Sequence, residues 1–168
     1  MPQAIQDVSD TAFMVAGFRA LETERREPLF RDPLAAKLAG EHGRSILAKL
    51  PRVYFGEWSV VIRTVIIDNL IKRAIAEGVD TILNLGAGLD SRPYRMTLPK
   101  SLRWVEVDYP HVIELKEARL ADEEPRCRLD RIKLDLTDRF RSPPVLGRDE
   151  RPRHQDLGAH RGRRSLFD

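Results

Sequence analysis

An apolar run over residues 79–85 opens directly onto Gly86-Ala87-Gly88 in the string VDTILNLGAGLDSRPYR. A buried strand that ends in two near-adjacent glycines fixes a strand-to-turn junction and leaves bare backbone there, where a ligand can come close. The surrounding text alternates in the same spirit. VDTILNLG is apolar enough to predict a strand covered on both faces, and LRWVEVD predicts a second strand. PHVIELKEARLADEE predicts a helix begun by Pro110. RIKLDLTD predicts a third strand, in which Ile132, Leu134 and Leu136 alternate with charged residues. Strands alternating with helices predict an α/β fold with a parallel sheet and right-handed crossovers.

Three helical patterns precede this region. Ser9 and Asp10 offer caps to TAFMVAGFRALETERR, and Asp32 and Pro33 start a short helix that Gly40 should stop. The strongest pattern is GEWSVVIRTVIIDNLIKRAIAEG, where Val60, Ile67, Leu70, Ile71 and Ala74 fall on one stripe at 100° per residue. Arg63 falls within that stripe, so its guanidinium should be buried and must meet an anion.

At 168 residues the chain suits one domain, and 42% apolar with 33% charged residues places it among globular proteins. No run reaches membrane-spanning length, and MPQAIQDVSD lacks the features of a secretory signal, so a cytoplasmic location is expected with no membrane partner. Cys127 stands alone and should be inert, and the four histidines show no metal spacing. Residues 141–168 hold seven Arg and four acids, which equals the whole-chain net charge of +3, so residues 1–140 are balanced. A basic tail without interleaved aromatics is no argument for a nucleic-acid partner. With three Pro, three Gly and no hydrophobic period, residues 141–168 are expected to be disordered.

The glycine loop narrows the ligand. A dinucleotide fingerprint would place a third glycine where Ser91 stands, and Asp90 would oppose a pyrophosphate, unless it serves as a helix cap. A cationic nucleoside cofactor such as S-adenosylmethionine meets no such objection. Glu106 and Asp108 end the second strand about 20 residues beyond the loop, where an acid can accept hydrogen bonds from ribose hydroxyls. Arg63 has two candidate anions: a cofactor carboxylate, or an internal partner such as Asp90 or Glu22. Asp135 and Leu136 close the third strand on the same rim, either as an adenine site or as an ordinary strand-to-turn junction. A nicotinamide-dependent oxidoreductase and a non-catalytic cofactor-binding fragment stay as alternatives.

RALETERREPLFRDPLA, RTVIIDNLI, LNLGAGLDSRPYR and WVEVDYP together resemble the leucine carboxyl methyltransferase-like family, over roughly residues 8–140. The resemblance implies a class I, Rossmann-like doubly wound sheet with an N-terminal helical segment, and S-adenosyl-L-methionine as cofactor. It implies that Arg63 touches the cofactor's carboxylate, Gly86 and Gly88 its methionine part, Asp108 the ribose, and Asp135 with Leu136 the adenine. The acceptor would be a small molecule, methylated on a carboxyl or hydroxyl oxygen. The expected organisation is a helical segment over residues 1–58 that covers the cofactor site, a cofactor-binding half over 59–140, and the tail over 141–168. Because the family pattern continues past the third strand while this text changes character, a truncated or frameshifted product is expected. Its first strand would then present an open edge prone to self-association, and its methyl transfer would be weak or absent.

Overall fold

The computed structural model describes residues 8–51 and 56–137. In chain order these form α1 (Val8–Glu24), α2 (Ala35–Ala48), α3 (Gly56–Ala76), β1 (Thr81–Leu85), α4 (Arg92–Arg95), β2 (Arg103–Asp108), α5 (Pro110–Arg119) and β3 (Arg128–Lys133). The strands make one parallel sheet in the order β1-β2-β3, with Leu85 opposite Val107 and Val107 opposite Ile132. The α/β alternation expected from the sequence is thus present, and all three strands end on one rim. No helix among the described residues is long and apolar enough to cross a bilayer.

Strand alternation sends Ile82, Trp104 and Leu129 to one face of the sheet. There they pack with Ile67, Ile71 and Ile75 of α3 and with Met96, Leu98, Leu102 and Cys127. A second cluster joins Ala16 of α1 and Leu38 and Ala39 of α2 to Leu89, Tyr94 and Leu120. This cluster presses the helical segment onto the turn that follows β1. The two helices themselves pack tightly, for a Cβ on Gly43 would sit 3.0 Å from the Phe13 carbonyl oxygen.

Several expectations need correction. Ser9 and Asp10 lie inside α1 instead of capping it, and Asp10 Oδ1 sits 2.6 Å from His42 Nε2 on α2. Gly40 does not stop α2 but kinks it at φ 57°, and the helix resumes to Ala48. The Arg119 guanidinium lies against Gly40, 3.1 Å from where a Cβ would stand. β3 spans Arg128–Lys133 and not residues 131–138, because its pairing starts where Arg103 meets Arg128. Beyond Lys133, Asp135 Oδ1 accepts from the Thr137 amide at 2.8 Å and its hydroxyl at 2.7 Å, and this local closure turns the chain away from the ladder. β1 is not covered on both faces, since Leu83 and Leu85 stand 45% and 56% exposed. The buried face of α3 carries Val60, Val61, Thr64, Asp68 and Ile71, so the predicted stripe is rotated and Leu70 is exposed. The tail over 141–168 lies outside the described residues.

Candidate functional site

The loop after β1 is shaped by backbone that only glycine adopts without cost. Gly86 and Gly88 have φ of 66° and 47°. Gly86 and Ala87 donate their amides to the Val107 carbonyl at 2.9 and 3.2 Å, which folds the loop back over the end of β2. Asp108 then staples it: Oδ2 accepts the Gly88 amide at 2.6 Å, and Oδ1 accepts the Tyr109 amide at 2.7 Å. A Cβ on Gly88 would stand 3.3 Å from the Ala12 Cβ, so α1 rests directly on the loop. A Cβ on Gly86 would meet nothing within 4 Å.

Behind the loop lies a buried network of three arginines and three aspartates. Arg19 of α1 donates to Asp32 at 2.7 Å, to Ser91 Oγ at 3.1 Å and to the Leu89 carbonyl at 2.6 Å. Ser91 in turn donates to Asp32 at 2.5 Å. Arg95 grips Asp68 of α3 with both Nη atoms at 2.7 and 2.8 Å, and Arg92 reaches the same carboxylate through Nε at 2.7 Å. With its Nη1, Arg92 also holds Asp90 Oδ2 at 2.7 Å. Asp90 further accepts from the Arg92 amide and from Asn84 Nδ2. Burial pushes the Asp90 carboxyl upward, but Arg92, Lys116 and Arg19 outweigh it and hold the group well below the usual carboxylate range. Asp90 therefore lines the cavity as an ionised carboxylate that caps the Arg92 amide and is paired with the Arg92 guanidinium, so the capping role open to it in the sequence is present and its charge is balanced.

Between the loop, α1 and α3 opens a cavity of about 640 Å³ at the carboxyl ends of the strands, a size suited to a small-molecule ligand. Five of the six sequence-predicted site residues line it: Arg63, Gly86, Gly88, Asp108 and Leu136. Asp135 does not, and its Oδ1 accepts from both the amide and the hydroxyl of Thr137. Arg63 is on the cavity wall but exposed, contrary to the buried position its stripe predicted. The two internal partners considered for it are engaged elsewhere, Asp90 with Arg92 and Glu22 with Arg25. Arg63 makes no ion pair among the described residues. Glu106 parts company with Asp108: it is fully buried and accepts from Lys116 Nζ at 2.6 Å and Arg131 Nε at 3.0 Å. Cys127 is buried and unpaired in any disulfide, its thiol pushed up to about 11 by burial and by nearby Glu106.

Sequence reasoning missed Arg19, Asp68, Arg92 and Arg95, which build the wall behind the loop. It also missed Thr11 and Val15 of α1 and Tyr109 as cavity residues. The paired arginines of SRPYR, three residues apart on one helical turn, were the available signal.

Residues 12–145 match the leucine carboxyl methyltransferase family. The chain belongs to this family. The matched span crosses the boundary expected at residue 140 by five residues. Among curated relatives, one from Frankia alni is 39% identical over 145 residues, covering 81% of this chain and 51% of the relative. One from Streptomyces avermitilis is 42% identical over 144 residues, and covers 81% of this chain and 51% of its own length. One from Mycobacterium tuberculosis strain H37Rv is 38% identical over 147 residues, covering 79% of this chain and 45% of the relative. Each carries the name "Putative S-adenosyl-L-methionine-dependent methyltransferase". The chain spans about half the length of the curated relatives it matches.

The relatives are named for dependence on S-adenosyl-L-methionine, and the cavity's donor set fits that group. The Arg63 guanidinium, with no ion pair among the described residues, can take a carboxylate. Asp108 keeps acceptor capacity beyond its two amide bonds. Gly86 leaves open space where a side chain would stand.

Proposed function

We propose that this chain is the cofactor-binding portion of an S-adenosyl-L-methionine-dependent methyltransferase acting on a carboxyl or hydroxyl oxygen of a small-molecule acceptor. The observation that carries the proposal is the grouping of an arginine with no ion pair among the described residues, an acid and two positive-φ glycines around one cavity on the carboxyl rim of a parallel sheet. On this reading Arg63 holds the cofactor's carboxylate, Gly86 and Gly88 admit its methionine part, Asp108 accepts from the ribose hydroxyls, and Leu136 packs on the adenine. Asp135, off the cavity wall, enters the proposal through its neighbour Leu136. When bound, the cofactor supplies an electrophilic methyl group. The chain's own residues then serve alignment, fixing the methyl donor so that an acceptor oxygen can approach it in line. Of the organisation expected over 1–58 and 59–140, α1 and α2 supply the helical cover and the described part of 59–140 the cofactor platform. The edge of β1 that pairs with no strand among the described residues is a surface for self-association, and a cytoplasmic location belongs to the same reading.

The test is isothermal titration with S-adenosylhomocysteine and with NAD. Binding of the former with a Kd on the order of micromolar, and no detectable binding of NAD, is the expected result. Tight binding of NAD would overturn the proposal in favour of an oxidoreductase. Arg63→Met should weaken S-adenosylhomocysteine binding while leaving thermal stability unchanged, since its side chain is exposed.

A further inference from the structure

Asp68 is a buried acid with no obvious business in the middle of α3, and its surroundings say what it does. Its side chain is 8% exposed, and three donors of two arginines converge on it: Arg92 Nε, Arg95 Nη1 and Arg95 Nη2. Arg92 is shared. Its Nη1 holds Asp90 at 2.7 Å, beside the glycine loop, while its Nη2 reaches the Thr64 carbonyl on α3 at 3.4 Å. A single planar guanidinium thus spans the gap between the two walls of the cavity, the helix wall with Arg63 and Thr64 and the loop wall with Gly86 and Gly88. Asp68 lies five residues after Arg63 on the same helix. Because a helix turns as one rod, fixing Asp68 against Arg92 and Arg95 sets both the rotation and the height of Arg63 above the loop.

We infer that Asp68 is a positioning residue of the site: through Arg92 and Arg95 it holds Arg63 at the distance from the glycine loop that the amino-acid end of the ligand requires. This rests on the cofactor assignment made above, and it adds a determinant that never touches the ligand. It separates the two ends of the ligand. Recognition of the amino-acid carboxylate depends on the Asp68 link, whereas recognition of the nucleoside, on the side of β2 and Asp108, does not.

The experiment compares S-adenosylhomocysteine with 5′-methylthioadenosine, which keeps the nucleoside and lacks the amino-acid carboxylate. Binding of both is measured by titration to the unaltered protein and to Asp68→Asn, Arg63→Met and the double variant. Asp68→Asn should weaken S-adenosylhomocysteine by about tenfold or more and methylthioadenosine by less than about twofold. The double variant should bind no more weakly than Arg63→Met alone, because the two residues act through one contact. Equal losses for both ligands, or additive losses in the double variant, would overturn the inference and leave Asp68 a purely structural residue. Removing a carboxylate between two buried arginines can unfold a protein, so Arg92→Lys provides a second route. A single ammonium cannot span Asp68 and Asp90 as the guanidinium fork does, and the same selective loss is expected. If the unaltered protein binds neither ligand, the cofactor assignment itself falls, and this inference with it.

Discussion

Asp90 and Asp108 approach the glycine loop from opposite ends, and their surroundings give them different experimental signatures. Asp108 is bound by two backbone amides and faces the cavity. Asp108→Ala removes acceptors of charge-assisted bonds worth roughly 1.5–3 kcal/mol each. Loss of cofactor affinity by about tenfold or more is expected by titration, and unchanged affinity in a folded variant would remove Asp108 from the site. Asp90 makes its contribution to stability instead. Its carboxyl is held below the ordinary value, so the folded state favours the ionised form, and the resulting stabilisation is complete above the unfolded pKa of about 3.9. It is lost as pH falls through that value and further toward the folded one. The stability gap between the unaltered protein and Asp90→Asn should be flat in denaturant titrations near neutral pH and should close on acidification below about pH 4. Gly88→Ala combines a left-handed backbone with a 3.3 Å approach to Ala12 and should cost about 1–2 kcal/mol of stability. Gly86→Ala carries the backbone cost alone, and its methyl enters open space, so its larger effect should appear in ligand titration.

Among the elements, α3 best separates what periodicity can reveal from what it cannot. Its helical character and its end near residue 76 are plain from the apolar spacing and from Gly78. Its orientation is not. The stripe of Leu70 and Ala74 looks like a core face only when Asp68 is assigned to water, and Asp68 is buried because Arg92 and Arg95, 24 and 27 residues away, neutralise it. Pairings at such separations leave no mark on local periodicity. The same limit hid the role of Glu106, which strand alternation groups with Asp108 but which Lys116 and Arg131 claim. By contrast, β1, β2 and the helix beginning at Pro110 were legible because strand ends and proline positions are local signals. Gly86, Gly88, Asp108 and Leu136 were placed on the cavity wall by the rule that ligands meet the carboxyl ends of parallel strands, whereas Arg63 came from its position on the α3 stripe. Asp135 stands off that wall, in a turn where Thr137 donates twice to its Oδ1, a local contact that strand alternation does not register. The rotated face of α3 has a direct test in urea denaturation. Leu70→Glu, at a position 56% exposed, should change stability by less than about 0.5 kcal/mol. Ile71→Ala on the buried face should cost about 2–5 kcal/mol.

For the molecule as a whole, β1 pairs only with β2 among the described residues, and Leu83 and Leu85 are exposed on it. Such an edge is a template for a further strand, with no lysine or proline in the strand to discourage one. Concentration-dependent self-association is expected in sedimentation velocity, and Leu83→Lys should reduce it. A monomer that persists across a wide dilution series would count against edge pairing. The clamp of Arg19 on the glycine loop has a different consequence, in time. Its bonds to Leu89 and Ser91 close 70 and 72 residues of chain, and Asp32 reaches Ser91 across 59. Closing such spans is entropically costly and slow compared with forming helices or pairing neighbouring strands. The cavity needs α1 as one wall, so it cannot exist until that closure is made. A refolding chain should therefore recover its helical signal first and its capacity to bind ligand last, which makes the ligand a guardian of the finished fold and a bystander to its assembly.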